Sequence, residues 1–393
     1  MALSSNLIPR FNIDYNFNDF CYSIKTILSR DNFRPCFDIL TSIFGERDFF
    51  FTNYGRTSLY VILRALNLPK GAKIGVPLYS CTVVFDAIIK NGYIPYFIDI
   101  DLENYTLDPK DLKEKIDELS AVIVIHTFGR PADMDKIKKV ARDVPIIEDC
   151  AHSLLSEYKG KKTGTIGEVS FFSLSKYISA RGGGMIISND STIEKRIREK
   201  VSLLKYPSKF EEIRHAITIF VHSILYQKPF YGIVTFPLGS YIRNKLKFTQ
   251  KHSFKISRIC NYNLGIFLEK LKNFKEKVKK QRENSLFLLE QLNDTDLVLP
   301  FEMKGTWCNY YLFPVLFENK EKRDRASKFL FKKGIDTAKL YHLTPVLARK
   351  FYGYSNTCPN TEAFVEKILV VPNHYTLRYE DLVKISNAIK EVS

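Results

Sequence analysis

Residues 146–188 read IIEDCAHSLLSEYKGKKTGTIGEVSFFSLSKYISARGGGMIIS, and this segment gives the strongest indication of the fold. One apolar run ends at Asp149, and a second ends at Ser173, just before Lys176. Three glycines, residues 182–184, separate this second run from a third. Short apolar runs bounded by turn residues are typical of buried strands. Because polar groups beyond strand ends gather in one crevice of an open α/β sheet, we expect an acid, a hydroxyl and an amine around one ligand.

The combination of an amine, an acid and a hydroxyl limits the ligands that fit. A lysine after a strand is by itself also typical of a solvated strand end. Pyridoxal phosphate, however, requires a lysine that bonds its aldehyde carbon and a carboxylate that keeps its ring nitrogen protonated. Its phosphate requires donors, such as hydroxyls and the amides of a helix N-terminus. Lys176, Asp149 and Ser173 meet these needs, and we expect them to bind this cofactor.

The order of EDCAHS, YKGKKTGTIGEVSFFS, Lys176 and GGG resembles the DegT/StrS family of sugar aminotransferases, which have the type I aspartate aminotransferase fold. The resemblance is strong over residues 52–188 and weak over the C-terminal third. It implies that Lys176 is the catalytic residue. Family members that dehydrate sugars usually carry histidine at this position, so the lysine favours transamination. The family has two more residues between its serine and its lysine. This implies a tighter loop here and leaves Ser173 and Ser175 as alternatives for the phosphate contact.

Further cofactor-binding residues follow from the resemblance. The segment TNYGRTS, residues 52–58, leads into an apolar pattern at helical spacing, and the amides of such a helix N-terminus attract anions. The family places the cofactor phosphate at the corresponding glycine, which implicates Gly55, Arg56 and Thr57. His152 matches a position where the family contacts the ring hydroxyl of the cofactor. Cys81 stands where the family has an aromatic residue stacked on the ring.

Four more positions are candidates for roles around this site. Tyr79 is an alternative source of the stacking contact, two residues before the position where the family has it. His126 follows a predicted strand, and we expect it to be a hydrogen-bonding residue behind the cofactor. Tyr341 and His342 resemble a family strand end, where packing is the expected role and substrate contact the alternative.

Composition bounds the class of protein. The chain has 393 residues, 45% hydrophobic and 26% charged, which is ordinary for a globular protein of two domains. The net charge of +16 predicts an anionic partner: a nucleotide, a membrane surface or nucleic acid. No nucleic-acid motif is present, so we expect no nucleic-acid partner. Seven scattered cysteines without metal-ligand spacing predict reduced thiols, no metal and a cytoplasmic protein, and the first residues do not resemble a signal peptide.

The alternation of strand and helix patterns predicts an α/β fold. We expect a three-layer, mostly parallel sheet of the pyridoxal-phosphate-dependent transferase type I, with a smaller C-terminal α/β domain. The predicted divisions are an N-terminal arm, a large cofactor-binding domain, an apolar basic insertion, a linking helix and a small C-terminal domain: residues 1–50, 51–205, 206–258, 259–292 and 293–393.

The predicted insertion has an unusual pattern. Residues 215–227 and 229–242 carry no Asp, Glu, Lys or Arg, yet each run is shorter than the roughly 20 residues that span a bilayer. Pro229, Gly232, Pro237 and Gly239 are expected to break any continuous span. Residues 205–258 contain ten Lys and Arg against two Glu. This pattern is compatible with residues 213–242 lying on an anionic membrane surface, and equally with a dimer-interface or core insertion that has a basic rim.

Together the residues and the resemblance predict an aminotransferase that moves an amino group from glutamate to a keto-sugar, most simply a nucleotide-linked one. The resemblance also implies a homodimer, in which Lys255, Asn261 and Asn263 are candidates to reach the partner's cofactor. Two alternatives stay open. One is a membrane-surface binding or regulatory protein that keeps the fold without turnover. The other is an aminotransferase acting on a lipid-linked acceptor, peripheral at the inner face of the membrane.

Overall fold

The computed structural model describes most of the chain: residues 6–29, 37–177, 182–245 (side chains to residue 242) and 254–393. Parts of the predicted arm and of the predicted insertion lie outside the described residues: residues 1–5, 30–36 and 246–253.

Twelve strands form three sheets in the described chain: β1 (Phe50–Thr52), β2 (Lys73–Pro77), β3 (Ile94–Ile98), β4 (Ala121–Ile125), β5 (Ile146–Asp149), β6 (Glu157–Tyr158), β7 (Lys161–Lys162), β8 (Val169–Ser173), β9 (Gly184–Ser188), β10 (Thr306–Trp307), β11 (Phe313–Leu316) and β12 (Ile368–Val371). The main sheet has seven strands in the order β1-β9-β8-β5-β4-β2-β3. Strands β2, β3, β4, β5 and β8 run parallel, and β9 runs antiparallel to both of its neighbours. The predicted α/β class with a mostly parallel sheet is confirmed.

The described residues form fifteen α-helices: α1 (Phe17–Ser29), α2 (Asp38–Phe44), α3 (Gly55–Leu66), α4 (Thr82–Lys90), α5 (Pro109–Lys115), α6 (Met134–Ala141), α7 (Ser191–Ser202), α8 (Lys209–Leu225), α9 (Phe236–Lys245), α10 (Asn261–Leu271), α11 (Phe274–Leu292), α12 (Lys320–Lys332), α13 (Thr344–Phe351), α14 (Pro359–Lys367) and α15 (Tyr379–Lys390).

Alternate residues of β4 show why the sheet is covered on both faces. Ile123 joins the core that α3, α4 and α7 form on one face, whereas Val122 and Val124 join the core that α5 and α6 form on the other. Successive strand residues point to opposite faces, so a strand that is apolar throughout needs helices on both sides. The result is the predicted three-layer arrangement.

A smaller lobe follows the main sheet in the chain. Strands β11 and β12 pair antiparallel, and α11, α12 and α15 contribute to a separate core there. Ile8 of the N-terminal arm belongs to this core and pairs with Ile335. The small lobe therefore includes part of the arm as well as residues of the predicted C-terminal domain.

Three segments add detail to the predicted organisation. The segment predicted as a linking helix, residues 259–292, contains two helices, α10 and α11, with a turn at residues 272–273 between them. Strand β1, which pairs with β9, was not predicted. The expected interruption of the apolar segment lies at residues 226–229, around Pro229, whereas the helix continues through Pro237.

The predicted insertion forms α8, a π-helical turn at Tyr231–Thr235 and α9. Helix α8 packs against α1 and α10, and Phe236 of α9 stacks on Phe331 of the small lobe with ring centroids 4.7 Å apart. Among the described residues, no helix has both the length and the apolar character needed to cross a membrane.

Candidate active site

A buried cavity lies at the carboxyl ends of β5 and β8. Asp149 is the last residue of β5, Ser173 is the last residue of β8, and the short turn that follows carries Lys176. Side chains of these three residues line the same cavity. Four more of the residues implicated by sequence line it too: Gly55, Arg56, Cys81 and His152. The parallel strands therefore bring together residues that lie up to 121 positions apart in the chain.

The two candidate serines lie on different sides of the Lys176 turn. Ser173 lines the cavity that contains Asp149, whereas Ser175 lines a neighbouring cavity of about 300 Å³. Helix α3 begins at Gly55, and a Cβ on that glycine would lie 3.3 Å from the Cβ of Ser173. The open N-terminal turn of α3 and the hydroxyl of Ser173 thus face one small space, which suits a phosphate.

Arg56 adds a cation at the same helix N-terminus. Its guanidinium lies over the rings of Tyr54 and Phe254, 4.9 and 5.2 Å from their centroids. Within the described residues its buried Nε has no hydrogen-bond partner, as expected of a donor that serves an anionic ligand. Thr57 is different, because its side chain is fully buried and does not line the cavity.

One hydrogen bond defines the state of the Lys176 amine. Nζ of Lys176 lies 3.0 Å from Nε2 of His152, and Nδ1 of that histidine accepts a hydrogen bond from the backbone N–H of Phe128 at 3.3 Å. Because Nδ1 is an acceptor, the imidazole proton is assigned to Nε2, which then donates to Nζ. Only a neutral amine accepts a hydrogen bond. Burial lowers the pKa of Lys176 and also lowers the pKa of His152, in agreement with this assignment.

Asp149 is the acid of the site. It is buried and accepts a hydrogen bond from the backbone N–H of Ala151 at 2.9 Å. Burial raises the pKa of the Asp149 carboxyl. A buried carboxylate is stable when a positive partner is close, so the cavity favours a ligand that presents a protonated nitrogen to Asp149. The residues present therefore fit pyridoxal phosphate.

His126 lies behind the site and does not line the cavity. Its Nε2 is 2.9 Å from a carboxylate oxygen of Glu148, and its Nδ1 accepts from the backbone N–H of Ala132 at 3.0 Å. Glu148 also accepts from the backbone N–H groups of Gly164 and Gly167. His126, Glu148 and Cys150 lie close enough to hold a metal ion. Both histidine nitrogens and the carboxylate are already engaged, however, so we assign the cluster a structural role.

The aromatic side of the cavity comes from two tyrosines. Tyr79 and Tyr341 both line it, with ring centroids 5.3 Å apart in an edge-to-face pair, and the Tyr79 hydroxyl donates to the carbonyl of Leu340 at 3.2 Å. Cys81 occupies the helix N-cap where the family has its stacking ring. The sequence predicted packing for Tyr341, with substrate contact as the alternative, and the structure places it in the same cavity as Asp149.

Tyr311 is a further residue that sequence reasoning missed. Its ring stacks on the imidazole of His152 with centroids 4.8 Å apart and lies 5.2 Å from the ring of Tyr177. It lines both the 300 Å³ cavity and a cleft of about 700 Å³ beside the small lobe, and Lys176 borders both of these spaces. Tyr311 therefore packs against the imidazole that contacts Lys176 and separates the 300 Å³ cavity from the 700 Å³ cleft.

The residues proposed to reach a partner subunit lie near the end of the insertion. Lys255 is exposed and pairs with Glu211 of its own chain. Asn261 begins α10. Asn263 is buried, and its amide nitrogen would lie 3.3 Å from a Cβ placed on Gly182.

Comparisons with known proteins agree with this geometry. The model of the DegT/DnrJ/EryC1/StrS aminotransferase family matches residues 40–390. The GDP-perosamine synthase of Escherichia coli O157:H7 is 25% identical to the chain, over 86% of this chain and 83% of that protein. The UDP-N-acetyl-3-dehydro-α-D-glucosamine 3-aminotransferase of Acidithiobacillus ferrooxidans is 24% identical, over 86% and 82% respectively.

Solved structures share the fold. The aminotransferase TlmJ from Streptoalloteichus hindustanus superposes with a TM-score of 0.78 at 20% identity, and the match covers 98% of each chain. The family match spans most of the sequence, and the cavity holds the lysine, acid and phosphate-binding groups that the cofactor requires. The chain is thus a member of the DegT/DnrJ/EryC1/StrS family and a pyridoxal-phosphate-dependent aminotransferase.

Proposed function

We propose that this enzyme transfers an amino group from glutamate to the keto group of a nucleotide-linked sugar. The observation that carries the proposal is the single cavity that contains Lys176, Asp149 and Ser173 and adjoins a larger cleft at Lys176. The names of the two relatives, a GDP-perosamine synthase and a UDP-sugar aminotransferase, support an acceptor of this class.

The phosphate end of the cofactor would be held by groups from α3 and β8. The amides at the start of α3 from Gly55 onward, the hydroxyl of Ser173 and the guanidinium of Arg56 all border one end of the cavity. Backbone amides and a helix N-terminus bind a dianion without a counter-charge, and Arg56 adds a cation. Held in this way at its phosphate, the cofactor would present its ring nitrogen to Asp149 at the other end of the cavity.

Asp149 supplies the negative charge at the other end. When bound, pyridoxal phosphate supplies an aldehyde carbon that captures amines and a ring that withdraws electrons from the reacting carbon. Because burial penalises an isolated carboxylate, Asp149 is stabilised as an anion by a proton on a neighbouring nitrogen. His152 offers its Nε2 proton to an oxygen or nitrogen at the face opposite its Nδ1 contact.

Lys176 moves the proton. A lysine with a lowered pKa is neutral in a larger fraction of molecules, and a neutral Nζ accepts a proton from the α-carbon of the amino donor. The protonated Nζ would then hold that proton beside the bound cofactor, which would supply the carbon that receives it. His152 and Tyr311 exclude water from one side of Nζ and hold it in place.

The larger cleft has the size and charge for the acceptor. It measures about 700 Å³ and is lined by Arg10 and Lys339, which pair with Asp336 and Asp324, as well as by Lys176. The two cations Arg10 and Lys339 at the rim of the site suit the diphosphate of a nucleotide sugar. Aromatic rings of Tyr311 and Tyr341 provide flat apolar surface for a sugar.

The proposal is tested by two absorbance experiments. Glutamate added to the cofactor-loaded enzyme is expected to convert the yellow form to its amine form, and a keto-sugar nucleotide is expected to restore the yellow form. A loaded enzyme whose spectrum ignores glutamate and every other amino donor would instead favour a binding or regulatory protein. Restoration by a lipid-linked keto-sugar alone would replace the nucleotide-linked acceptor with the lipid-linked one.

The family resemblance also predicts a homodimer, which we retain as part of the proposal. Sedimentation equilibrium of the loaded enzyme is expected to give twice the mass of the chain. A monomeric mass at micromolar concentration with full activity would remove the homodimer.

A further inference from the structure

Exposed apolar side chains concentrate in one part of the molecule. Of the 22 large hydrophobic side chains exposed among the described residues, 12 lie within residues 203–242. This segment is about a tenth of the chain, so the distribution is far from even. Single exposed apolar residues are normal on a protein surface, whereas a group of this size marks an interaction surface.

Helix α8 carries two apolar stripes on different sides. One stripe is buried against the protein, at Ala216, Ile219 and Ser223. The other stripe is exposed, at Ile217, Val221 and Ile224, and continues toward the N-terminus of the helix at Phe210. Positions 210, 217, 221 and 224 fall on one side of a helix with 3.6 residues per turn, away from positions 216, 219 and 223. No part of the chain that the structure describes covers the exposed stripe.

The chain after α8 adds to the same kind of surface. Tyr231 anchors this part, because its hydroxyl donates to Asp336 at 2.5 Å and its ring is buried. The apolar side chains around it remain exposed: Phe230, Ile233, Val234, Leu238, Tyr241 and Ile242. We call the exposed side chains of residues 210–242 the apolar surface of the insertion.

Cations accompany the apolar surface, and its acids are engaged elsewhere. Lys205, Lys209 and Arg214 are exposed at the beginning of the segment. Glu211 pairs with Lys255, and Glu212 is buried and accepts from the backbone N–H of Tyr262 at 3.4 Å. Lys205, Lys209 and Arg214 therefore place positive charge at one border of the apolar surface.

We propose that the apolar surface of the insertion docks on an anionic phospholipid membrane, with the enzyme lying on the bilayer. Apolar side chains bordered by lysine and arginine are the pattern of interfacial helices, and no described helix is long and apolar enough to span. A second copy of the chain is a poorer occupant. A two-fold axis through this surface would place equal positive charges opposite each other.

Lipid binding is tested by co-sedimentation of the cofactor-loaded enzyme with vesicles. The enzyme is expected to sediment with vesicles of phosphatidylcholine and phosphatidylglycerol, and its partition coefficient is expected to fall about tenfold or more on pure phosphatidylcholine. The salt dependence should be steep, because the attraction is screened within about 10 Å at 0.1 M salt. Equal partition into both kinds of vesicle, or no sedimentation with either, would overturn the proposal.

The matched variants separate this surface from ordinary exposed residues. The triple variant Ile217→Ser, Val221→Ser, Ile224→Ser is expected to lose about tenfold or more in partition into anionic vesicles. The control Leu102→Ser, Leu286→Ser, Val346→Ser changes three exposed apolar residues elsewhere and should bind like the wild type. Equal losses in both triple variants, or no loss in the first, would contradict the assignment.

The charge of the surface is tested by Lys205→Gln, Lys209→Gln, Arg214→Gln. This variant is expected to lose its preference for anionic over neutral vesicles, while an unchanged preference would contradict the role of these cations. Sedimentation velocity without lipid gives the remaining outcome. If the apolar triple variant changes the oligomeric state and leaves vesicle binding intact, the occupant is a second copy and the membrane proposal is wrong.

These results do not depend on the proposed reaction. None of the substituted residues lines the Lys176 cavity, so every variant is expected to keep the absorbance of the bound cofactor and its response to glutamate. An enzyme that fails to turn over but still binds vesicles refutes the reaction alone. An enzyme that turns over but ignores vesicles refutes the docking alone.

Discussion

The two serines beside Lys176 differ in what their hydroxyls face, although only one residue separates them. Ser173 borders the space at the start of α3, and Ser175 borders the neighbouring cavity. The variant Ser173→Ala should therefore weaken cofactor affinity about tenfold, the effect of losing one hydrogen bond to a charged group. Ser175→Ala serves as the matched control and should bind the cofactor normally in an absorbance titration. Reversed effects would assign the phosphate contact to Ser175.

Asp149 should control both the rate and its acid limit. Asp149→Asn removes the charge with little change in shape, and we expect the glutamate half-reaction to slow by about 100-fold or more. Because burial raises the pKa of this carboxyl above its ordinary value of 3.8, wild-type activity should fall as the pH drops through that raised pKa. Stopped-flow absorbance between pH 4 and 8 measures both effects. A variant with wild-type rates would remove Asp149 from the mechanism.

The turn between β7 and β8 depends on one buried carboxylate. Glu148 accepts from the backbone N–H groups of Gly164, Ile166 and Gly167, and His126 donates to it. These contacts lower the pKa of Glu148 despite its burial, so the stability they provide is present at neutral pH and is lost as the pH falls through that lowered pKa.

Removing this charge should therefore be costly. We expect Glu148→Gln to lower the free energy of unfolding by about 3 kcal/mol, because buried N–H groups and a histidine lose part of their partner. Glu290→Gln on the exposed face of α11 is the control and should change it by less than about 0.5 kcal/mol. Urea denaturation at pH 7 measures both. Equal stability of the two variants would show that the turn does not depend on Glu148.

Local signals predicted the elements that the chain builds by itself. Strands β4 and β5 were predictable because a buried parallel strand is apolar throughout, and Asp149 was predictable because it ends such a run. Strand β1 was not predicted, because three residues are too few to show a period. Tyr311 and Tyr341 reach the site by packing of the small lobe, which no local pattern encodes.

At the scale of the whole molecule, His374 joins the small lobe to the N-terminal arm. Its Nε2 donates to the carbonyl of Pro9 at 3.1 Å, and its Nδ1 contacts the Thr376 hydroxyl at 2.8 Å. Burial lowers the pKa of His374 to about 4, from the ordinary histidine value of 6.5. Between these two pH values the unfolded chain binds a proton that the folded chain does not, so stability falls as the pH falls.

The contribution of His374 is measurable by a comparison at two pH values. It should cost about 3 kcal/mol of unfolding free energy by pH 4, relative to pH 7.5. His374→Gln retains an N–H donor and does not titrate, so its urea-unfolding free energy should depend less steeply on pH. Parallel pH dependences of the wild type and the variant would show that this histidine is not buried in its neutral form.

The bond between Lys176 and the cofactor provides the most direct test of the central claim. The loaded enzyme would be reduced with borohydride, digested and analysed by peptide mass spectrometry, with Lys176→Ala treated in parallel. We expect the mass of a pyridoxyl phosphate on the wild-type peptide that contains Lys176. The Lys176→Ala variant should give no modified peptide and no yellow absorbance. A label on a different lysine, or a yellow Lys176→Ala protein that still responds to glutamate, would contradict it.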